Sequence, residues 1–275
     1  MYTNNFPVKI MGIINATSDS FFKNSRFYGD DAINQINQMI NDGAKIIDIG
    51  GVSSRPGSDT VSETEELKRI QPICDIIKKN KLYEKVDFSI DSYTPLVIEY
   101  ALQSGFSIVN DITGLANDKV AEITAKYNAS IVIMHMKGTP KDMQHNPTYT
   151  NVLSEIDDFF HQQITKAKKF GINNIILDVG IGFGKTLEHN LILLKNMDYF
   201  SHFGYEVLIG ASRKSLINAI STSSIEERLS GTLAIHLDSI QRGASIVRCH
   251  DVKEHNQAIK IQEAIYNSKG ALEVN

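Results

Sequence analysis

The chain has 275 residues, of which 42 % are hydrophobic and 22 % are charged. These fractions are close to the averages of globular proteins, which excludes a disordered or a fibrous chain. Its 28 Lys and Arg residues and 32 Asp and Glu residues give a formal net charge of -4. A generally basic surface for nucleic acid is therefore excluded, although a local basic pocket is not.

The cellular location is inferred from what the sequence lacks. Two cysteines, Cys74 and Cys249, are too few for a disulfide framework and fit a reducing cytosol. No apolar run approaches the ~18 residues of a membrane span, and residues 1–7 are too polar for a signal peptide. We expect a cytoplasmic protein that has no membrane partner.

Short β-branched runs recur along the chain, and several of them follow a Gly or Asn turn and end in a polar residue: 42–48, 104–110, 127–135, 170–178 and 242–248. Glycine before a strand is typical of a helix end, and short apolar runs suit buried parallel strands. With the runs that end at Asn15, Asp91 and Gly210, they predict eight strands. Amphipathic stretches with helical spacing follow in chain order, over residues 31–42, 62–79, 95–104, 117–127, 152–170, 188–198, 213–220 with 226–242, and 252–267.

Eight strands that alternate with helices in a chain of this length predict an α/β protein, a single (β/α)8 TIM barrel. The predicted domain is 1–275, with its core at about 8–267, because no Pro/Ser-rich linker or change in composition marks a second domain. The alternative is a doubly wound open sheet, which usually has fewer strands and one glycine fingerprint after the first. The barrel is favoured, and it places the active site at the C-terminal ends of the strands.

The predicted strands end in polar residues, and a barrel gathers these ends at one rim. They are Asn15, Asp48, Asp91, Asn110, His135, Asp178, Ser212 and the pair Arg248 and His250. A single polar strand end commonly does no more than cap the next helix. Several inward carboxylates together need partners, since an isolated buried carboxylate is costly. The set predicts a ligand rich in amide and amine edges, or a hydrated metal ion.

Loop six, residues 178–186, contains a Gly-Lys-Thr that is similar to a phosphate-binding loop. Such a loop needs a glycine where this chain has Val179, so the nucleotide interpretation fails on spacing. We expect the alternating glycines to let the backbone approach a ligand closely, with Phe183 as an aromatic wall.

Loop seven, residues 212–215, opens a helix, and its free N–H groups and two cations, Arg213 and Lys214, predict an anion site. Arg248 and His250 lie two residues apart on the same side of a strand and again suggest phosphate.

The remaining histidines and the cysteines predict no further site. His135 is interpreted as a structural histidine, since no set with zinc spacing accompanies it. Other histidines, such as His145, His161 and His189, lie on polar or helical stretches and carry no signal. Both cysteines are expected to pack in the core.

In their order and completeness, these segments resemble the dihydropteroate synthase family, from Ile10 to about Ile265. The matching segments are Met11-Gly12-Ile13-Ile14-Asn15, Asp48-Ile49-Gly50-Gly51, Ser54-Arg55-Pro56-Gly57, Ser89-Ile90-Asp91, Asn110-Asp111-Ile112, Met134-His135-Met136, loop six, Ser212-Arg213-Lys214-Ser215 and Arg248-Cys249-His250-Asp251. The resemblance implies a transferase of folate biosynthesis, which condenses 6-hydroxymethyl-7,8-dihydropterin diphosphate with 4-aminobenzoate to give 7,8-dihydropteroate and diphosphate. It also implies a homodimer, because the family commonly pairs through barrel helices.

The resemblance further implies a role for each matching residue. It assigns the pterin to Asp91, Asn110, Ile112, Met134, Asp178 and Lys214, the diphosphate to Asn15, Arg248 and His250, with Mg²⁺ bridging it to Asn15, and the aminobenzoate to Arg55, Pro56, Phe183 and Ser215. Asp91, Asp178, Lys214 and Arg248 are the implied catalytic residues. The chemistry agrees, because a 2-aminopyrimidine edge presents donors that carboxylates accept.

Some positions depart from the family pattern. In the first loop Ser18 replaces a usual proline and Lys23 a usual aspartate, and elsewhere Val52, Val179 and Ile181 replace glutamate, proline and phenylalanine. None of these changes removes an implied ligand of the pterin or the diphosphate.

Three alternatives stay open at the level of sequence. A pterin-binding methyltransferase barrel acting on a methylated folate shares the strand-end Asp and Asn pattern, but it does not need Lys214, Arg248 or His250. A non-catalytic pterin-binding homologue is supported by Lys23. An aldolase-like barrel would need a lysine at the end of an inner strand, whereas Lys214 opens a helix.

Overall fold

The structure, a computed structural model, describes residues 7–16, 28–53 and 61–268, with residues 28–30 described in backbone only. Eight parallel strands close into a barrel in the order β1 to β8, and β1 pairs with β8. The strands are β1 (Lys9–Asn15), β2 (Ile46–Gly50), β3 (Asp87–Asp91), β4 (Ile108–Asp111), β5 (Ser130–Met134), β6 (Ile175–Asp178), β7 (Glu206–Ile209) and β8 (Ile246–Cys249). The predicted (β/α)8 barrel is confirmed.

Helices follow the strands and cover the outside of the barrel. Those in the described part of the chain are α1 (Tyr28–Asp42), α2 (Glu63–Lys79), α3 (Pro95–Gln103), α4 (Asp118–Lys126), α5 (Val152–Lys169), α6 (Leu187–Lys195), α7 (Ser215–Ile220), α8 (Leu229–Gln241) and α9 (Val252–Tyr266). Several begin at a residue that caps the free N–H groups of the first turn. Ser62 does so for α2 and Asn151 for α5.

The predicted bounds agree with the structure to within a few residues, with two informative differences. The helix predicted over 188–198 ends at Lys195, and the chain continues as a 3-10 helix, Met197–Phe203. Asp48 does not end its strand, because backbone pairing with both neighbouring strands extends to Gly50. The prediction that Asp48 is a strand end is therefore wrong, and its carboxylate is completely buried inside the barrel.

An apolar layer fills the barrel below its polar rim. It consists of Met11, Ile46, Ile108, Val132, Ile176, Leu208 and Ile246, all buried. Side chains alternate between the two faces of a strand, so the next inward residue lies two positions further along. That residue is Asp48 on β2, Asn110 on β4, Asp178 on β6 and Arg248 on β8. The strand period thus places the polar set directly above the apolar layer.

The core between strands and helices accounts for both cysteines. Cys74 and Cys249 are free, buried and part of this core, which confirms that they pack there. Burial raises the pKa of both thiols, and the thiolate that nucleophilic chemistry needs is therefore disfavoured. None of the described helices is both long and apolar enough to cross a membrane.

Candidate active site

The guanidinium of Arg248 links β8 to β2 and β3 across the mouth of the barrel. Its Nε donates to Asp48 Oδ2 at 2.6 Å, and its Nη2 donates to Asp91 Oδ2 at 2.6 Å. The side-chain amide of Asn110 donates to the same Asp48 oxygen at 3.1 Å. Hydrogen bonds between charged groups are stronger than neutral ones, so this cluster is held firmly.

Burial dominates the ionisation of the Arg248 cluster. It raises the pKa of the Asp91 carboxyl to about 7, and the Arg248 guanidinium offsets only part of that effect. Burial also disfavours the charged guanidinium, but the carboxylates of Asp48 and Asp91 more than compensate, so the pKa of Arg248 is raised. Asp48 Oδ1 is buried and has no hydrogen-bond partner among the described residues. Perturbed acids and an unsatisfied buried acceptor are typical of a functional site.

A second pair of opposite charges involves β6 and loop seven. Burial raises the pKa of the Asp178 carboxyl, and the Lys214 ammonium opposes that shift. Burial lowers the pKa of Lys214 to about 8, against the attraction of Asp178. Asp178 Oδ1 accepts the Gly180 N–H at 2.7 Å. Lys214 Nζ donates to the Ile181 carbonyl and lies 4.7 Å from the centre of the Phe183 ring. Loop six thus holds both partners of the pair.

Loop six takes its shape from the buried amino group of Lys185, whose pKa burial lowers well below its usual value. Its Nζ donates to the carbonyls of His135, Gly180 and Phe183 at 3.2, 3.0 and 2.9 Å, and lies 3.0 Å from His135 Nδ1. The lysine of the Gly-Lys-Thr therefore binds the protein's own backbone, which agrees with the rejection of a nucleotide loop. Burial and the Lys185 charge lower the pKa of His135 to about 2. The prediction of a structural histidine at this position is confirmed.

The glycines of loop six allow its backbone to come close to another group, as predicted. At Gly180 and Gly184 that group is the protein's own backbone and not a ligand. Gly180 and Gly184 have φ angles of +68° and +61°. A Cβ on Gly180 would lie 2.0 Å from the His135 carbonyl oxygen, and one on Gly184 would lie 2.1 Å from that of Lys137. Only glycine allows loop six to pack so closely on the segment after β5.

One of the two cations of loop seven, Arg213, is paired within the protein. Arg213 donates to both carboxylate oxygens of Asp251, at 3.1 and 2.5 Å, so it is already paired with a carboxylate. Ser212 Oγ lies 2.9 Å from His250 Nδ1, which fixes the orientation of that ring. Ser215 begins α7 and is exposed.

A cavity of about 520 Å³ lies beside Asp91, and its lining includes Val52, Ser53, Glu66, Ser92, Ile112, Thr113 and Met136. The buried Glu66 accepts the hydroxyls of Ser92 and Thr94, each at 2.6 Å. Sequence motifs missed Glu66. Its one signal was a carboxylate on the buried face of the amphipathic helix α2, where an unpaired charge would be costly.

The structure places most of the predicted pterin and diphosphate residues around the same rim. Ile112 and Met134 are buried, whereas Asn15 ends β1 and is exposed. Arg55 and Pro56, predicted to contact the aminobenzoate, lie outside the described residues, and so does Lys23.

Comparison with known proteins identifies the family. Residues 11–250 match the family model described as pterin binding enzyme. Dihydropteroate synthase of Haemophilus influenzae is 39 % identical over 265 residues, which cover 94 % of this chain and 94 % of that protein. The chain belongs to the dihydropteroate synthase family.

Solved structures of dihydropteroate synthases agree with this assignment. The Clostridium difficile enzyme, crystallised in the presence of pteroic acid, has a TM-score of 0.87 and 37 % identity over 98 % of this chain and 100 % of that chain. The Thermus thermophilus enzyme, in complex with 4-aminobenzoate, has a TM-score of 0.85 and 33 % identity over 95 % of this chain and 96 % of that chain. Membership of this transferase family favours a synthase over the methyltransferase, binding-protein and aldolase alternatives.

Proposed function

We propose that the protein condenses 6-hydroxymethyl-7,8-dihydropterin diphosphate with 4-aminobenzoate, which makes it a dihydropteroate synthase of folate biosynthesis. The observation that carries this proposal is the set of Asp91, Asn110, Asp178, Lys214 and Arg248 at one rim of a barrel of this family. Two solved relatives support this substrate assignment, because one was crystallised in the presence of pteroic acid, a pterin joined to aminobenzoate, and the other is in complex with 4-aminobenzoate.

In the proposed complex, carboxylates receive the pterin. Asp91 and Asp178 would accept N–H groups of the 2-aminopyrimidine edge, and their burial makes such charged hydrogen bonds strong. Lys214 would donate to the ring carbonyl and nitrogen. Its ammonium already donates to the Ile181 carbonyl, which holds it beside Asp178. Asn110 would complete the polar edge, and Ile112 would lie against the ring face.

The diphosphate would be held by Asn15, Arg248 and His250 at neighbouring strand ends. Mg²⁺ takes oxygen ligands, keeps several waters and commonly binds through one or two protein oxygens together with substrate phosphates. The amide oxygen of Asn15 fits this preference, because it lies exposed at the open end of β1. When bound there, Mg²⁺ would offset negative charge on the diphosphate.

The aminobenzoate would lie further out on the same rim. Ser215, at the start of α7, would receive its carboxylate, and Phe183 would contact its ring next to Lys214. Pro56 would contact the ring as well and Arg55 would help to close the site, as the family resemblance implies for these two residues that follow β2 in the sequence.

The reaction needs little covalent help from the protein. Arg248 and His250 would stabilise the negative charge that develops on the departing diphosphate. Asp91 and Asp178 would stabilise the electron-poor pterin that remains. An aromatic amine is neutral at pH 7 and can attack the methylene carbon, from which the diphosphate departs, without a dedicated general base. The proton that its nitrogen then loses would pass to water or to the released diphosphate.

The deciding experiment incubates purified protein with the pterin diphosphate, 4-aminobenzoate and Mg²⁺ and follows both diphosphate release and dihydropteroate. Asp178→Asn is expected to weaken pterin binding, while Arg55→Ala is expected to raise the KM for 4-aminobenzoate alone. If the folded protein binds the pterin but forms no dihydropteroate, the proposed activity is wrong. If both variants changed the same step, the assignment of roles would be wrong.

We also propose that the protein is a homodimer and that it is located in the cytoplasm. Support for pairing comes from apolar side chains that α6 and α7 expose: Leu187, Leu191 and Ile220 are 37 %, 38 % and 60 % exposed. Leu191→Lys should shift the mass measured by light scattering toward the monomer, whereas Leu96→Lys, on a leucine of α3 that is 44 % exposed, should not. The reduced, buried cysteines support a cytosolic location.

A further inference from the structure

Three metal-ligating side chains meet on the outside of the barrel. Asp157 and His161 lie one turn apart on α5, and His202 lies in the 3-10 helix that follows α6. One ligand atom from each can be chosen so that all lie within 4.8 Å of one another. His161 Nε2 is 3.5 Å from Asp157 Oδ2, and His202 Nε2 is 3.2 Å from Asp157 Oδ1.

Aromatic packing holds this group in place. Phe160 of α5 packs its ring edge-on against Phe200 and Phe203, with ring centres 5.6 and 5.9 Å apart, and so fixes the 3-10 helix on α5. The rings of His161 and His202 lie on Phe203, at 4.8 and 4.1 Å between centres. The two imidazoles are therefore positioned by their contacts with Phe203, which packs in turn on the buried Phe160.

The hydrogen bond of His202 determines which of its ring nitrogens can face Asp157 as an acceptor. Its Nδ1 lies 2.8 Å from the Tyr199 carbonyl oxygen, which can only accept, so Nδ1 carries the proton. In the neutral ring, Nε2 then presents a lone pair to Asp157 Oδ1, which is itself buried and has no hydrogen-bond donor among the described residues. With the ring neutral, two acceptors therefore face each other at 3.2 Å. A cation between them turns this repulsion into attraction.

We propose that Asp157, His161 and His202 bind one divalent first-row transition metal ion, with zinc as the reference ion. Two imidazoles and a carboxylate suit zinc and its neighbours, whereas Mg²⁺ prefers oxygen ligands alone. Tetrahedral zinc with bonds near 2.0–2.1 Å keeps its ligand atoms about 3.3 Å apart. The observed distances, 3.5 Å from His161 to Asp157 Oδ2 and 3.2 Å from His202 to Asp157 Oδ1, are close to that value, and a carboxylate can bind a metal through either oxygen or both. The contact of His202 with the Tyr199 carbonyl is the kind that orients a zinc-bound histidine.

The test is calorimetric titration of untagged, chelator-treated protein with Zn²⁺ in the presence of excess Mg²⁺. We expect one tight equivalent of zinc per chain. Losing even a group that only orients a ligand costs about 10- to 100-fold in affinity, so His161→Ala and His202→Ala should each weaken binding at least tenfold. His145→Ala, which removes an exposed histidine outside the group, should bind as the wild type does.

Three results would overturn the proposal. One is a wild-type protein that takes up no zinc. Another is zinc uptake that both variants retain, which would place the ion elsewhere, for example at the carboxylates of the barrel. The third is a His202 ring that nitrogen NMR shows to be doubly protonated at pH 8 and unchanged by zinc, because an ion pair would then occupy the place of the metal. Circular dichroism of each variant confirms that it is folded.

Discussion

Affinity for the pterin should pass through a maximum between pH 7 and pH 8. Asp91, whose pKa is raised to about 7, must be ionised to accept an N–H of the ring. Lys214, whose pKa is lowered to about 8, must be protonated to donate to it. An acid with a raised pKa is neutral below that value, and a base with a lowered pKa is neutral above it. Binding should therefore weaken on both sides.

The size of the effect follows from the two pKa values. The fraction of molecules that carry both charges is about 0.6 at pH 7.5 and about 0.1 at pH 6 and at pH 9. If only the doubly charged form binds the pterin well, affinity should fall about sixfold from pH 7.5 to pH 6 or to pH 9.

The assay is equilibrium binding of a 6-hydroxymethyl pterin without diphosphate, measured between pH 5.5 and pH 9.5, so that no phosphate group titrates. Asp91→Asn should bind more weakly and lose the acid limb. Lys214→Arg, whose charge does not titrate in this range, should lose the alkaline limb. A flat wild-type profile would refute the reasoning, and so would an acid limb that Asp91→Asn retains in a pH range where the ligand itself does not titrate. A limb of the pH profile that the wild type and both variants share would reflect titration of the ligand.

Three further predictions concern the stability that the site requires, and urea unfolding measures each. Asp48→Ala removes one partner of the buried Arg248 and should lower the free energy of unfolding by about 3–5 kcal/mol; a loss below 1 kcal/mol would show that the guanidinium finds a new partner. Lys185→Met leaves three carbonyls without their donor, at about 1–3 kcal/mol each where water cannot enter, and should accelerate amide exchange in loop six. Gly184→Ala should cost clearly more than Gly171→Ala, since both have positive φ but only Gly184 has backbone within 3 Å of the new Cβ; equal losses would mean that loop six adapts.

The barrel was predictable because its signals are local. Each strand is a short apolar run next to a turn, and each helix has its own apolar period, so neither requires knowledge of distant contacts. The rim followed from the topology alone, since parallel strands of a barrel end at one face. Asp91, Asp178 and Arg248 therefore lie where the sequence predicted them.

The contacts made inside the rim were not predictable in the same way. The partners of Arg248 lie 200 and 157 positions away along the chain. The periodicity of a sequence carries no information about pairing between such distant residues. It therefore did not show that Asp48 lies inside the barrel as a partner of Arg248. His161 showed the same limit, since its companion His202 lies in a separate 3-10 helix, beyond the helix predicted over 188–198. A set of ligands becomes visible only when packing brings separate elements together.

The position of Arg248 between two carboxylates has a consequence for substrate selection. On the proposed function, a pterin can use Asp91 fully only after the guanidinium releases Asp91 Oδ2. A diphosphate offers the guanidinium a replacement anion within the same molecule, whereas an alcohol or a free pterin offers none. The two ends of the activated substrate should thus bind cooperatively. The resting protein thus already discriminates against the unactivated precursor, which must compete with an internal ion pair and therefore binds more weakly than a pterin whose diphosphate can replace Asp91 at the guanidinium.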